Sequence, residues 1–156
     1  GEIVIDFFKK ALIISLFFLI LFLFLIFRKM NYVLVCVISL VCAFILTIFF
    51  MIVLKLNFNF ANMIAIPLLF SLGVSYQIYF IKRFDELGDF KKLFSSNTPL
   101  AILFSGLTTI FSFSTLFFSS HNGTSSMGLL LFISLSSTLI TSLILLPIFI
   151  KIFRIK

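Results

Sequence analysis

The amino-acid sequence predicts an all-α integral membrane protein, folded as a bundle of five transmembrane helices. Hydrophobic residues make up 62% of the 156-residue chain, charged residues only 11%, and the mean hydropathy is +1.33. Ordinary soluble domains contain about 45–50% apolar and about 25% charged residues. This chain has too few polar residues to cover a water-facing surface, so the bilayer must solvate most of it.

Five long apolar segments set the number of spans. A helix needs about 17–25 apolar residues to cross a hydrocarbon core of about 30 Å. The segments lie at approximately residues 8–27, 32–54, 61–81, 99–119 and 127–150. Strands of a membrane barrel would alternate apolar and polar residues instead, and helices satisfy their own backbone hydrogen bonds in lipid. We therefore expect residues 1–156 to form a single transmembrane domain.

The start of the chain indicates a piece of a longer protein. It opens with Gly1 in "GEIVIDFF", as if within an element. The first apolar segment is not typical of a signal peptide, because its core is long and lacks a small-residue cleavage site before Arg28. The sequence is therefore interpreted as the C-terminal part of a longer chain.

The basic residues predict the orientation in the membrane. Nine of the twelve fall on one side of the predicted spans: Arg28, Lys29, Lys82, Arg83, Lys91, Lys92, Lys151, Arg154 and Lys156. The other side holds Lys9, Lys10 and Lys55. The positive-inside rule makes the first side cytoplasmic, with the N-terminus outside and the C-terminus inside. The net charge of +7 then faces anionic headgroups, and no nucleic acid partner is expected.

The connections between spans carry turn signals. Residues 97–99 (NTP) predict an N-cap followed by proline at the first helical position. Residues 119–124 (SSHNGT) predict a turn centred on Asn122-Gly123. The longest connection, residues 82–98, predicts a short amphipathic helix at the membrane interface.

Polar residues are concentrated in the third predicted span, at mid-depth. They are Ser75, Tyr76, Gln77 and Tyr79, and they follow Pro67 and Gly73, which we expect to bend the helix. A primary amide in hydrocarbon needs partners for both its oxygen and its NH₂ group. Gln77 is therefore expected to face the bundle interior, either as a structural clamp or as part of a transport network.

The fourth predicted span supplies the expected partners of Gln77: the hydroxyls of Thr108, Thr109 and Ser112, at similar depth. Small hydroxyl residues also let membrane helices pack closely, so packing alone is an alternative explanation for them. The first two spans carry few polar residues and are expected to face lipid.

Ionisable groups are confined to the ends of the spans. All five acids (Glu2, Asp6, Asp85, Glu86 and Asp89) lie outside the predicted spans. A proton relay normally requires an ionisable group within the membrane. No catalytic motif or metal-ligand spacing is present, and Ser75 and His121 differ too much in depth to form a catalytic pair. No enzyme activity, cofactor or metal is expected.

Three stretches resemble the end of an RND-superfamily transporter, closest to MMPL-like exporters associated with hopanoid biosynthesis. They are "NFANMIAIPLLFSLGVSYQIYFIKRF" (59–84), "LFSGLTTIFSFSTLFFSSHNGTSSMGLLLFISL" (103–135) and "LILLPIF" (143–149). The resemblance covers about residues 55–150. It implies that the five helices correspond to the last five of twelve spans, with the N-terminus leaving a periplasmic domain.

The resemblance also implies a function and exposes a departure. Similar proteins use a proton gradient to export lipids and other hydrophobic molecules, through a relay that includes an aspartate soon after a Gly-Val pair. That position matches Ser75, Tyr76 or Gln77, and none of them is an acid. The residues Ser75, Tyr76, Gln77, Tyr79, Thr108, Thr109 and Ser112 are thus candidates for a relay or transport network without its own acid.

The sequence therefore predicts the membrane part of an RND/MMPL-type exporter of hydrophobic molecules. Proton coupling is expected only when it is combined with its N-terminal half, and its partners are membrane lipids, lipid-like cargo, and that half or a second copy. The alternative is a non-transporting membrane protein: a truncated or split gene product, or a sensor bundle such as those that bind sterols.

Overall fold

The computed structural model describes residues 2–56 and 60–153, and its regular structure there is helical throughout. The helices are α1 (Glu2–Phe27), α2 (Met30–Val53), α3 (Phe60–Leu87), α4 (Phe90–Ser95), α5 (Thr98–Ser114), α6 (Asn122–Ile140) and α7 (Leu146–Ile152). A 3₁₀ turn, Thr115–Phe118, extends α5, and a π turn, Thr141–Leu145, joins α6 to α7. The all-α class predicted from the sequence is confirmed.

Four helical segments within the described residues are long and apolar enough to cross a membrane. They are Lys9–Phe27, Met30–Val53, Thr98–Phe118 and Asn122–Ile152. They correspond to four of the five predicted spans and make this a multi-pass membrane protein. The remaining predicted span, residues 61–81, lies in α3. The polar run of α3 and the charges from Lys82 onwards lower the mean hydropathy of the part that is described.

Helix boundaries in the 82–98 connection differ from the prediction in one respect. A short helix is present, but it covers only Phe90–Ser95, because α3 continues to Leu87. Gly88, with φ 65°, ends α3, and the Asp89 carboxylate caps α4 by accepting from the Lys91 backbone N–H at 3.0 Å. At the start of α5, proline occupies the first turn as predicted, while Asn97 makes no side-chain capping hydrogen bond.

The predicted centre of the turn at residues 119–124 is wrong. Asn122 and Gly123 already belong to α6, so the turn is made by the residues before them. His121 is the extended residue at the helix N-cap position, and its carbonyl accepts from the Ser125 N–H at 2.9 Å. The Ser125 hydroxyl also donates to the Phe117 carbonyl at 2.7 Å. These bonds on both sides of the corner start α6 earlier than the Asn-Gly signal indicated.

Helix α6 lies at the centre of the bundle, in contact with α2, α3 and α5. Its buried polar residues, together with those of the π turn, are Ser134, Ser137, Thr138, Thr141 and Ser142. Several of these hydroxyls donate to carbonyls of their own helix: Thr138 to Ser134 at 2.7 Å and Thr141 to Thr138 at 3.0 Å. The small side chains therefore allow close packing without needing partners on neighbouring helices.

Two glycines bring neighbouring helices against α6. A Cβ atom at Gly73 of α3 would lie 2.5 Å from Thr138 Cγ2 and 3.0 Å from Leu40 Cδ2. A Cβ atom at Gly106 of α5 would lie 2.5 Å from Leu139 Cδ1. Real Cβ atoms do not approach other carbons this closely, so a side chain at Gly73 or Gly106 would force the facing side chain of α6 to move.

The charged end of the bundle is joined by a small polar cluster. Lys29, before α2, forms an ion pair with Asp85 of α3 at 2.8 Å, and the Tyr32 hydroxyl donates to the same carboxylate at 2.7 Å. The hydrogen bond from Lys29, and then that from Tyr32, hold the pKa of the Asp85 carboxyl below its usual range. Both side chains of the ion pair are about half exposed, so it contributes about 1 kcal/mol or less.

We expect Gly73→Ala to lower the stability of the bundle by about 1–3 kcal/mol, because the new methyl group overpacks the contact with Thr138. Thr138→Ser in the same chain removes the Cγ2 methyl but keeps the hydroxyl, and should restore much of the loss. Thermal unfolding of the purified variants in detergent, followed by circular dichroism, measures both effects. Equal losses with and without Thr138→Ser would show that Gly73 is required for a reason other than this contact.

Candidate functional site

The polar run of α3 is divided between two faces of the helix. Ser75 and Tyr79 are exposed, and Tyr79 retains 71% of its accessible surface. Tyr76 and Gln77 are buried, with exposures of 6% and 0%. Four neighbouring residues thus contribute to two different environments, one open to the surroundings and one inside the bundle.

The open side is a polar groove between α3 and α5, which we call the α3–α5 groove. Its volume is about 470 Å³, and it is lined by Ser75, Tyr76, Tyr79, Asn97, Thr98, Ala101, Ile102 and Ser105. The buried hydroxyl of Tyr76 has no hydrogen-bond partner among the described residues. Three of the candidate residues of α3 therefore share one groove with the first turns of α5.

The candidate residues of α5 extend the exposed polar surface beyond the groove. Thr108 and Ser112 are exposed, and they follow Ser105 at intervals of three and four residues, so they continue the same helix face. Thr109 is half-buried. Each hydroxyl donates to its own helix, Thr108 to Phe104, Thr109 to Ser105 and Ser112 to Thr108, at 2.8–2.9 Å.

Gln77 is inside the bundle, as predicted, but its predicted partners are wrong. Neither Nε2 nor Oε1 has a hydrogen-bond partner among the described residues. Thr108, Thr109 and Ser112 lie on α5 with their hydroxyls bonded to α5 carbonyls, and they do not reach it. The reason is geometric: Gln77 projects from the α3 face that is buried in the bundle, whereas the exposed polar face of α3 turns towards the start of α5.

Two further buried hydroxyls, those of Ser39 and Ser142, lack hydrogen-bond partners within the described part of the chain. Gly73 contacts both Leu40 and Thr138, which fixes the register of α3 against α2 and α6. Gln77 and Ser142 are each four residues beyond those contacts on helices that run in the same direction, so they lie at a similar depth. Ser39 adjoins Leu40 and therefore lies near the depth of Gly73. Ser39 and Ser142 are 0% exposed with unpartnered Oγ atoms. Sequence reasoning missed Ser39, because α2 carries few polar residues.

The remaining candidates have packing roles in the described structure. α3 is helical throughout Phe60–Leu87, across Pro67 and Gly73, and its bending at these residues stays a prediction. Gly73 makes the close contact with α6, and Pro67 lines an apolar groove between α1 and α3 of about 560 Å³. Among the described residues, no group of three or more His, Cys, Asp or Glu side chains is placed to hold a metal. Cys36 and Cys42 are free thiols.

The helices and their apolar surfaces define the class of this molecule: a multi-pass α-helical membrane protein. Its sequence is similar to that of hopanoid transporter HpnN from Burkholderia multivorans, with 40% identity over 90 residues. The matched region covers 58% of this chain and 10% of that protein. It is also 44% identical over 73 residues to hopanoid transporter HpnN from Rhodopseudomonas palustris, or 47% of this chain and 8% of that protein.

These relatives confirm the resemblance to RND-type hopanoid transporters that the sequence motifs predicted. The matched region amounts to about a tenth of the length of either relative. No model of a protein family matches the chain.

We expect Gln77→Leu to raise the stability of the isolated chain by about 1–3 kcal/mol, the range for relieving a buried polar group that lacks a partner. This sign is the opposite of that expected if hydroxyls of α5 held the amide. Leucine has a similar volume, so the substitution changes polarity more than packing. Thermal unfolding in detergent gives the difference, with Ser75→Ala, at an exposed position of α3, as control. A loss of stability in the Leu variant would show that the amide is hydrogen-bonded.

Proposed function

We propose that this chain is the C-terminal five-helix membrane part of an exporter of hopanoid-like or other hydrophobic molecules. In this proposal it works together with an N-terminal half that carries the rest of the transporter. The observation that carries the proposal is the similarity to two hopanoid transporters at 40–44% identity over about half of the chain.

The exposed polar face of α3 and α5 supports the need for a second half. Ser75, Thr108 and Ser112 are exposed although they lie in the middle parts of long apolar helices, and Tyr79 is exposed near the end of the predicted third span. Polar groups at membrane depth usually face other protein or a water-filled cavity. A partner bundle covering this face would remove them from lipid, and either the N-terminal half or a second copy of the chain would provide one.

The fifth span is part of the proposal. α3 has 28 residues, which is about 42 Å of helix at 1.5 Å per residue and enough to cross a bilayer. With α3 as a span, the charged residues of 82–92 lie at the same membrane side as Arg28 and Lys151. The positive-inside rule makes this side cytoplasmic and places the N-terminus in the periplasm.

Proton coupling is proposed to depend on the other half. Neither Ser75, Tyr76 nor Gln77 can exchange a proton as a carboxylate does, and the α3–α5 groove, which Ser75 and Tyr76 line, has no acid among its lining residues. A relay through this region therefore needs an ionisable group on the surface that covers the α3–α5 groove. Ser75 and Tyr79, on the exposed face, are the residues of this chain that such a group would meet.

The apolar groove between α1 and α3 supports hydrophobic cargo. Its lining includes Phe18, Phe22, Pro67 and Phe70, with Ser15 and Ser71 as the polar contributors. A groove of this chemistry accepts hydrocarbon without leaving polar groups unpaired. It is open towards lipid, so a molecule dissolved in the bilayer would reach it directly.

We expect the chain alone not to export hydrophobic cargo, and export to appear when it is produced together with its N-terminal half. The measurement is the amount of hopanoid reaching the outer membrane in a bacterium whose own hopanoid exporter is deleted. The N-terminal half alone is the matched control, and membrane abundance of each chain is followed by immunoblot. Export by this chain alone would overturn the proposal. Binding of hopanoid without export in the completed pair would favour the sensor-type alternative.

We expect Lys91→Cys to be labelled only from the cytoplasm and Ser120→Cys only from the periplasm. Both positions are exposed at opposite ends of the bundle. The variants are made in a Cys36→Ala, Cys42→Ala background, and a membrane-impermeant maleimide is added to spheroplasts or to inverted vesicles. Residues 57–59, also predicted to be periplasmic, lie outside the described residues. Labelling of position 91 from outside would reverse the proposed orientation.

A further inference from the structure

Helices α4 and α7 enclose an apolar groove at the charged end of the bundle, which we call the α4–α7 groove. Its volume is about 460 Å³, and it is lined by Phe90, Phe94, Leu143, Ile144, Pro147, Ile148 and Lys151. Ile144, Ile148 and Lys151 follow one another at helical spacing, so they form one stripe that ends in a cation. The groove thus runs from the hydrocarbon level of α7 to the membrane interface.

Cations without ion-pair partners lie in the wall of this groove and on one of the helices that line it. Lys151 lies in the wall, and Lys91 and Lys92 are exposed on α4, which lines the groove through Phe90 and Phe94. None of the three forms an ion pair with any acid among the described residues.

Two acids at this end of the bundle are paired with other cations: Asp85 with Lys29, and Glu86 with Arg83 at 2.7 Å. Asp89 caps α4 by accepting the Lys91 backbone N–H, and its carboxylate charge offsets part of the positive charge of that helix. The three lysines still leave an excess of positive charge beside the apolar groove.

We propose that the α4–α7 groove binds one anionic phospholipid, with an acyl chain along Ile144 and Ile148 and the phosphate at Lys151. Lys91 and Lys92 of α4 supply further attraction for the headgroup. The combination of an apolar wall and unpaired cations at one end matches the two parts of such a lipid.

This site is separate from the α3–α5 groove and from the groove between α1 and α3. It does not depend on the proposed export function, because a transporter and a sensor bundle would both expose the α4–α7 groove to lipid. A bound phospholipid would link α4 to α7, since the contacts that hold α4 in place are made mainly to α3 and α5.

The test uses the whole purified chain in detergent, analysed by native mass spectrometry with added phosphatidylglycerol or phosphatidylcholine. We expect phosphatidylglycerol to be retained and Lys151→Gln to reduce its retention about fivefold, the effect of one lysine near an anionic headgroup. Lys10→Gln, an exposed lysine at the other end of the bundle, is the matched control and should leave retention unchanged.

A second pair of variants tests the groove itself. Ile148→Trp fills it without changing any charge and should abolish retention, whereas Ile140→Trp, at an exposed position outside the groove, should not. Loss with Lys151→Gln but not with Ile148→Trp would mean attraction to the charged surface only and would overturn the proposal. Equal retention of both lipids, or displacement of phosphatidylglycerol by soluble glycerol phosphate, would overturn it as well.

Discussion

The close approach of α3 and α5 to the central helix α6 is the constraint on which the rest of the bundle depends. Gly73 and Gly106 place their backbones against Thr138 and Leu139, two adjacent residues of α6. In lipid, helices gain little from hiding apolar surface, since the surroundings are equally apolar, and close packing becomes the main attraction between them. Two glycines facing one short stretch of α6 therefore fix the depth and rotation of both neighbouring helices.

The rotation of α3 that Gly73 sets decides what the polar run of this helix can do. With Gly73 against α6, Gln77, one turn further, must also face the interior, while Ser75 and Tyr79 must face outward. Neighbouring residues of one helix are therefore divided between the bundle interior and an open groove. The buried side chains of Gln77, Ser39 and Ser142 supply an amide and hydroxyls but no ionisable group, so any charge has to come from the covering surface.

Charged side chains are concentrated at the ends of the bundle, and one end carries lysines without ion-pair partners among the described residues. At one end, the ion pairs of Lys29 with Asp85 and of Arg83 with Glu86 leave lysines of α4 and α7 unpaired. These lysines adjoin apolar side chains, which is the arrangement that long basic side chains adopt at a membrane interface. The interfacial end is therefore suited to contact with lipid headgroups, whereas the polar groove between α3 and α5 is suited to contact with another helical bundle.

The sequence by itself determined the helical membrane class, four of the five spans to within a few residues, and the resemblance to hopanoid transporters. Hydropathy and motif content are properties of consecutive residues, and they survive whatever the helices pack against. Tertiary structure alone decided that Gln77 and Thr108 do not meet, that Ser39 of α2 is buried without a hydrogen-bond partner in the described structure, and that α6 starts at Asn122. The first two outcomes depend on the rotation of each helix about its own axis, and the third on hydrogen bonds across the corner before α6. A single Cβ atom at Gly73 would change the rotation of α3. The sequence pattern of α3 does not indicate which neighbouring helix Gly73 will contact.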